Sequence, residues 1–214
     1  MKRSLLILSV VIAFFLSSEV FNMFVLSKVV PPSLDTFPSW ISSWDGHLFI
    51  FINMRLSSPL LVNFFNLLTN VGSTFFALLL CVSLYLLGFR REAILVFISI
   101  ALSSFLIIPF KLFILRPRPY LSLPGAIISE EGSGSSFPSG HSTRAFAMAS
   151  ALSGKGKRLT IFMYVLAFLV AFSRIYIGAH YPFDSIFGSL LGFLSGKLVL
   201  RYEDKFLLFF KDFH

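Results

Sequence analysis

The sequence predicts an all-α, polytopic membrane helix bundle that forms a single domain over residues 1–214. Of the 214 residues, 56% are hydrophobic and 13% are charged, whereas a soluble domain carries about 25% charged residues. The mean hydropathy is +0.85. Apolar stretches recur at close to the length of about 20 residues that a helix needs to cross a bilayer. We predict six transmembrane helices, at 4–26, 71–89, 93–115, 138–153, 159–177 and 182–200.

The first stretch follows two basic residues, Lys2 and Arg3, as the apolar part of a signal peptide would. Its apolar run is longer than a signal peptide needs, and no A-x-A-like cleavage site follows it. We therefore expect 4–26 to be a transmembrane helix of the protein.

The fourth stretch, 138–153, is shorter than the others and rich in alanine. Small residues let helix backbones approach each other closely within a bundle. We therefore expect this helix to pack inside the bundle and not against lipid.

The distribution of basic residues predicts how the helices are oriented. With six spans, the basic residues that flank the apolar stretches fall on one side of the membrane, which the positive-inside rule makes cytoplasmic. They are Lys2, Arg3, Arg90, Arg91, Lys155, Lys157, Arg158, Arg201, Lys205 and Lys211. We expect a plasma membrane protein with both termini in the cytoplasm.

The two long connections on the outer side differ in character. The segment 27–70 contains prolines and an aromatic-rich stretch that suits the headgroup layer, so we expect one or two interfacial helices there. The segment 120–137 contains Gly and Ser together with Glu130 and Glu131, which is typical of a flexible flap.

The composition also limits the classes of partner and cofactor. The net charge is +8, but the basic residues stand in short clusters between apolar runs, which argues against a nucleic-acid partner. The single cysteine, Cys81, lies in an apolar stretch, so we expect neither an intrachain disulfide nor a cysteine metal site. No feature of the sequence identifies a protein partner.

Three polar segments are predicted to meet on the outer side, and the first contains Lys111 and Arg118. These residues are seven positions apart, which is two helical turns, so they would share one face of a helix. Pro117 and Pro119 disfavour helix at the residues before them, so the helix should end near Leu115. The two cations can converge on one phosphate. The alternative is a basic cluster whose side chains reach the lipid headgroups.

The second segment is Pro138-Ser139-Gly140-His141, at the start of the fourth predicted helix. A helix N-terminus points free N–H groups at an anion, and Gly lets the backbone come close to it. Ser139 can add a hydroxyl donor, and His141 can protonate a leaving oxygen. The alternative is an ordinary helix start capped by Ser139.

The third segment places Arg174 at the end of the fifth predicted helix, with His180 and Asp184 on either side of Pro182. Proline suits the first turn of a helix, so the sixth helix should begin near Pro182. A carboxylate that accepts the Nδ1–H of His180 leaves Nε2 free to attack. The alternative is a His–Asp pair that stabilises the helix start, with Arg174 in a structural ion pair.

Two further arginines lie near these segments. Arg144 is one turn into the fourth predicted helix, where it can add a cation for a diphosphate or pair with Glu130, Glu131 or another acid. Arg116 can assist binding, but we expect it to face the lipid headgroups.

In this order, the three segments resemble the type 2 phosphatidic acid phosphatases. That family includes bacterial polyprenyl diphosphate phosphatases and shares its site with vanadium haloperoxidases. The family pattern is K-x6-R-P, then P-S-G-H, then S-R-x5-H-x3-D, and the chain matches it without a gap or substitution. The resemblance covers residues 93–200.

The resemblance implies a metal-independent phosphatase that uses no cofactor. His180 would be the nucleophile that forms a phosphohistidine, Asp184 would orient it, and His141 would protonate the leaving oxygen. The phosphoryl oxygens would be bound by Lys111, Arg118, Ser139, Gly140 and Arg174. The Ser-Thr-Arg sequence after the histidine also resembles some polyisoprenoid diphosphate phosphatases, which makes Arg144 a possible further ligand.

The hydropathy together with the resemblance predicts a lipid phosphate as the substrate, with its tail entering sideways between helices. We favour a polyprenyl diphosphate such as undecaprenyl diphosphate, with phosphatidic acid and phosphatidylglycerol phosphate as alternatives. A phosphotransferase that uses the same histidines is the alternative reaction. A transporter would spread its charges across the bilayer depth, whereas the motif charges here gather at one end.

Overall fold

The computed structural model of the protein describes residues 37–132 and 134–211, and every regular element in these ranges is a helix. The all-α class predicted from the sequence is confirmed. The predicted helix 4–26 lies outside the described residues. The helices are α1 (Ser39–Phe49), α2 (Pro59–Thr69), α3 (Thr74–Leu86), α4 (Arg90–Phe113), α5 (Pro119–Ser122), α6 (Gly140–Ala151), α7 (Lys157–Tyr176), α8 (Pro182–Arg201) and α9 (Glu203–Lys211).

Among the residues that the structure describes, three helices are long and apolar enough to cross a membrane: α4, α7 and α8, with 24, 20 and 20 residues. They correspond to the predicted spans 93–115, 159–177 and 182–200. The predicted span 71–89 contains the apolar helix α3 of 13 residues, and 138–153 contains α6 of 12 residues. Membrane-spanning helices are therefore present, and the count of six spans stays a prediction.

The segment before α3 forms a bent pair of apolar helices. A π-helical turn, Ile50–Arg55, extends α1, and a 3₁₀ turn, Asn70–Gly72, extends α2. The two halves are bent by 116°, and together they are apolar enough for a broken span or a re-entrant loop. The sequence predicts one or two interfacial helices between residues 27 and 70; the structure has helices α1 and α2 there, and their place in the interface stays a prediction.

Local sequence signals set the helix starts that lead to the polar segments. Ser139 caps α6, since its Oγ accepts from the backbone N–H of Ser142 at 3.5 Å. Pro182 is the first residue of α8, as the sequence predicts. In the first turn of α8, the carboxylate of Asp184 accepts from the backbone N–H of Tyr181 at 2.9 Å. Helices α6 and α8 therefore begin within their polar segments.

Close packing of α6 against α8 brings these two helix starts together. Gly188, Gly192 and Gly196 recur at every fourth position of α8 and so lie on one face. A Cβ at Gly188 would lie 2.6 Å from the carbonyl oxygen of Ser139, and one at Gly192 would overlap the carbonyl oxygen of Thr143. On the other helix, the small residues are buried as predicted: Ala145, Ala147, Ala149 and Ala151. The absent side chains on α8 therefore set the distance between the helices.

We predict that Gly192→Ala lowers the stability of the protein, because the added methyl group meets a backbone carbonyl that cannot rotate away. Overpacking of this kind costs about 1–3 kcal/mol. The measurement is the thermal unfolding temperature of the detergent-solubilised protein. Gly46→Ala in α1 is the matched control, since nothing lies within 4 Å of a Cβ there and alanine favours a helix. Equal unfolding temperatures for the two variants would contradict the packing argument.

Candidate active site

The structure brings the three polar segments together through hydrogen bonds made by residues in or directly beside them. The backbone N–H of Ser136 donates to the carbonyl oxygen of Arg116 at 2.8 Å. The backbone N–H of Ser139 donates to the carbonyl oxygen of Asp184 at 3.0 Å. The guanidinium of Arg118 donates to the carbonyl oxygen of Ala179 at 2.9 Å. The segments follow α4, precede α6 and connect α7 to α8, so the site lies at one end of the helices.

His180 is buried and is held through its Nδ1 atom. Nδ1 lies 2.7 Å from the carbonyl oxygen of Ser136. A carbonyl oxygen only accepts, so Nδ1 carries the proton and Nε2 keeps a free lone pair. The carboxylate of Asp184 is 3.7 Å from the same nitrogen, which is beyond hydrogen-bond distance. The tautomer is therefore set by the carbonyl oxygen of Ser136, whereas the sequence predicts that Asp184 sets it.

The protonation state of His180 also follows from its surroundings. Burial lowers the pKa of His180 to about 3, a shift that Asp184 opposes and that the charges of Arg118 and Arg174 reinforce. The imidazole is therefore neutral at physiological pH. A buried, neutral imidazole with a free Nε2 lone pair is a competent nucleophile.

Asp184 is held by groups other than the histidine. Its Oδ1 accepts from Nη1 of Arg116 at 2.6 Å. Its Oδ2 accepts from the backbone N–H of Tyr181 and, through a short hydrogen bond, from the hydroxyl of Ser136. Because Ser136 contacts both His180 and Asp184, it fixes the two side chains relative to each other.

Arg116 lies in the interior, so the expectation that it faces the headgroups is wrong. Its Nη2 donates to Oδ2 of Asp45 at 2.6 Å while Nη1 contacts Asp184. Its guanidinium carbon also lies 3.9 Å from the ring centre of Tyr181. Burial opposes the charge, yet the carboxylates of Asp184 and Asp45 raise the pKa of Arg116 above its usual range.

Asp45 is a site residue that the sequence motifs do not include. It lies on α1, 71 residues before Arg116, and it is fully buried. An isolated acid within an aromatic-rich apolar stretch is the signal that could have identified it, because a buried carboxylate needs a partner. Only the fold reveals that the partner is Arg116.

Arg174 is buried at the end of α7, and its guanidinium donates hydrogen bonds to two side chains. Its Nη1 donates to Oγ1 of Thr69 at 2.8 Å and to Oε2 of Glu130 at 2.7 Å. Glu130 comes from the loop between α5 and α6, and its side chain is 45% exposed. Glu130, one of the acids that the sequence offers as a partner of Arg144, pairs with Arg174.

Arg118 is also buried, and its charge lies close to that of Arg174. Burial, followed by repulsion from Arg174, lowers the pKa of Arg118 to about 10. At physiological pH both guanidinium groups are charged, and both act on His180 and His141. Two buried guanidinium groups close to each other favour the binding of a multiply charged anion.

The remaining predicted cations, Lys111 and Arg144, have contacts in or near the second polar segment. Lys111 is half-buried on α4, and its Nζ donates to the carbonyl oxygen of Ser135 at 2.9 Å. Nε of Arg144 donates to the carbonyl oxygen of Gly72 at 2.9 Å, and a Cβ at Gly140 would lie 3.3 Å from its Nη1. His141 interacts electrostatically with Arg174, Arg144, His180 and Arg118.

Within residues 37–132 and 134–211, His, Cys, Asp and Glu form no cluster of three or more that could hold a metal ion.

Comparison with known proteins relates this site to a family. Residues 92–207, more than half of the chain, match the PAP2 superfamily. Over 89 residues the chain is 29% identical to the undecaprenyl-diphosphatase BcrC of Bacillus subtilis. The matched segment makes up 42% of this chain and 46% of that protein. The chain spans between 40% and 61% of the length of the curated relatives that it matches.

Two solved structures resemble the chain over most of their length. LpxE of Aquifex aeolicus gives a TM-score of 0.68 at 33% identity, covering 73% of this chain and 94% of its own. A PAP2-type phosphatidylglycerolphosphate phosphatase of Bacillus subtilis gives a TM-score of 0.69 at 26% identity, covering 89% of this chain and 96% of its own. The three polar segments lie within the part of the chain that matches the family.

We predict that Glu130→Gln strengthens the binding of inorganic phosphate. In the described state the Glu130 carboxylate contacts Arg174, so an incoming anion has to displace it, and an amide competes less well for a guanidinium. Hydrogen bonds between charged groups contribute about 1.5–3 kcal/mol, which corresponds to about tenfold or more in the dissociation constant. Titration calorimetry on the purified protein measures the constant. Glu131→Gln removes the neighbouring exposed carboxylate and serves as the control; equal gains for both variants would contradict direct competition.

Proposed function

The chain belongs to the PAP2 superfamily, and we propose from that membership that it is an integral membrane phosphatase acting on a lipid phosphate. The observation that carries the proposal is the juxtaposition of His180, whose Nε2 is free, with His141 and a group of buried cations. Phosphoryl transfer depends mainly on positioning and on stabilising the charge of the phosphoryl oxygens. Fixed guanidinium groups supply that stabilisation.

We further propose a two-step reaction through a phosphohistidine. Nε2 of His180 forms a bond to the terminal phosphorus while the bond from that phosphorus to the leaving oxygen breaks. His141 gives its proton to that oxygen, and the lipid product leaves. Water then attacks the phosphorus, His141 takes a proton from the water, and the phosphorus–nitrogen bond breaks to restore His180 and release inorganic phosphate.

In this scheme the phosphoryl oxygens take the place of the oxygen atoms that the cations contact in the structure. Arg174 would exchange Glu130 for the phosphate, and Lys111 and Arg118 would exchange backbone carbonyl oxygens. Further contacts would come from the Ser139 hydroxyl and the Gly140 amide. Because Arg144 lies beside Gly140 and interacts with His141, it would take the second phosphate of a diphosphate.

We propose a polyprenyl diphosphate of the undecaprenyl type as the substrate. The match to the undecaprenyl-diphosphatase BcrC and the place of Arg144 support this choice. The likeness to a phosphatidylglycerolphosphate phosphatase supports a phospholipid monophosphate as the alternative.

We propose that the site opens to the outer face of the plasma membrane. The polar segments lie where α4 and α7 end and α8 begins, whereas basic residues open α4 and α7 and close α8 at the other end. At that other end, Glu92 pairs with Arg91 and Lys155. The positive-inside rule makes it the cytoplasmic end, and with the six spans that the sequence predicts, both termini would lie on that side.

The direct test is phosphate release by the detergent-purified protein in the presence of EDTA. We expect release from undecaprenyl diphosphate to exceed release from phosphatidic acid and phosphatidylglycerol phosphate. His180→Gln should lower the rate by about 10³-fold or more, since it removes the nucleophile. His47→Gln, at an exposed position on α1, is the matched control and should keep the wild-type rate. Folded protein that releases no phosphate from any of the three lipids would refute hydrolysis and point to transfer to another acceptor.

The chemistry of the leaving group predicts a trapped intermediate. A lipid phosphate is a weaker base than a lipid alcohol and leaves without full protonation, so the first step on a diphosphate depends less on His141 than the attack by water does. In His141→Gln, phosphohistidine should therefore accumulate with a diphosphate and not with a monophosphate ester. Intact-protein mass spectrometry after an alkaline quench detects it, because phosphohistidine is lost in acid. Phosphoprotein that persists in His141→Gln/His180→Gln would exclude His180 as its site.

A further inference from the structure

A buried chain of charges lies on the Nδ1 side of His180. Arg116 donates to Asp184 through Nη1 and to Asp45 through Nη2, each at 2.6 Å. Neither carboxylate has exposed surface, and Arg116 is 5% exposed. We call Asp45, Arg116 and Asp184 the acid–arginine cluster; Asp45 comes from α1, outside the three polar segments.

The hydrogen bonds of the acid–arginine cluster indicate its charge. Oδ2 of Asp45 accepts from Arg116, and Oδ1 accepts from the backbone N–H of Phe183 at 2.8 Å. Both oxygens of Asp184 likewise accept from donors. Every one of these contacts suits an ionised carboxylate. Two carboxylates and one guanidinium leave the cluster with one net negative charge.

That charge matters because the proposed reaction makes His180 positive. When Nε2 bonds to phosphorus while Nδ1 keeps its proton, the imidazole ring carries a positive charge. The positive charges of Arg118 and Arg174 already act on His180 and oppose this change. A negative charge on the Nδ1 side stabilises it, and the interaction is strong where water is excluded.

Asp184 paired with Arg116 alone would supply less of this charge. An arginine paired with one carboxylate forms a neutral pair, whose field at the histidine is weaker than that of a carboxylate carrying a net charge. Because Arg116 is shared between two carboxylates, the excess negative charge persists beside His180.

We propose that Asp45 is a positioning residue of the active site: it shares Arg116 with Asp184 and so keeps one net negative charge beside His180. This inference rests on the proposed function, in which His180 is the nucleophile. It assigns to α1 an electrostatic part in the reaction.

A purely structural part for Asp45 is the competing explanation. Asp45 also contacts the N–H of Phe183 in the first turn of α8, so it attaches α1 to the site. Loss of Asp45 alone would impair the protein under either explanation. The two explanations differ in what the simultaneous loss of Arg116 does.

The test compares Asp45→Asn with Asp45→Asn/Arg116→Gln. The first variant makes the acid–arginine cluster neutral, and the double variant returns it to one negative charge without any ion pair. The readout is the ratio of the dissociation constants for orthovanadate and inorganic phosphate, measured by calorimetry. Orthovanadate accepts a fifth bond, which His180 would donate, whereas phosphate binds only through the cations.

We expect Asp45→Asn to reduce the preference for orthovanadate by about tenfold or more, since a neighbouring charge shifts proton affinity by about one to three pKa units. Phosphate binding should change little, and the double variant should recover most of the preference. The lipid hydrolysis rate should likewise fall in Asp45→Asn and recover in the double variant, with kcat changing more than KM. A structural part predicts instead that both anions lose affinity together and that the double variant is the weakest. That result would overturn the proposal.

Two controls keep the outcome decisive. Asp45→Ser removes the same charge with a smaller side chain and replaces Asp45→Asn if the amide prevents folding, which the thermal unfolding temperature reports. His180→Gln should abolish the preference for orthovanadate in any background. Because anion binding needs no turnover, a wild-type protein that hydrolyses no lipid would refute the proposed function, while the vanadate preference would still decide the role of Asp45.

Discussion

The need to pair every charge that is buried among apolar helices is the constraint on which the site depends. An unpaired carboxylate or guanidinium in such surroundings is strongly destabilising. Arg116 meets that need for two acids at once, joining α1 through Asp45 to the start of α8 through Asp184. Ser136 then links Asp184 to His180. The orientation of the proposed nucleophile is thus a consequence of how the buried charges are neutralised.

The same constraint explains the state of the cations. Arg118 and Arg174 repel each other, yet both are buried. They are held by the carbonyl oxygen of Ala179 and by the hydroxyl of Thr69, and Glu130 adds a carboxylate that reaches Arg174 from a loop. A bound phosphate offers more negative charge than one carboxylate, so it would relieve this repulsion more completely.

Apolar packing supplies the rigidity that these polar contacts need. The glycine face of α8 allows α6 to approach until backbone meets backbone, which fixes the starts of the two helices relative to each other. Phe137, beside the second polar segment, is buried and stacks on Phe183 with ring centres 5.7 Å apart. Catalytic side chains that extend from fixed backbones lose less freedom when the substrate binds.

The sequence alone determined the all-α membrane class and the family, because apolar length and ordered short motifs are local properties of the chain. It also predicted that α8 begins at Pro182, where proline favours a helix start. The tertiary structure decided which polar groups pair. Asp45 and Arg116 are distant in sequence, Ser136 replaces Asp184 as the acceptor for His180, and Glu130 reaches Arg174 and not Arg144. Such pairings depend on where helices cross and on which donors burial leaves nearby, and no local pattern encodes either.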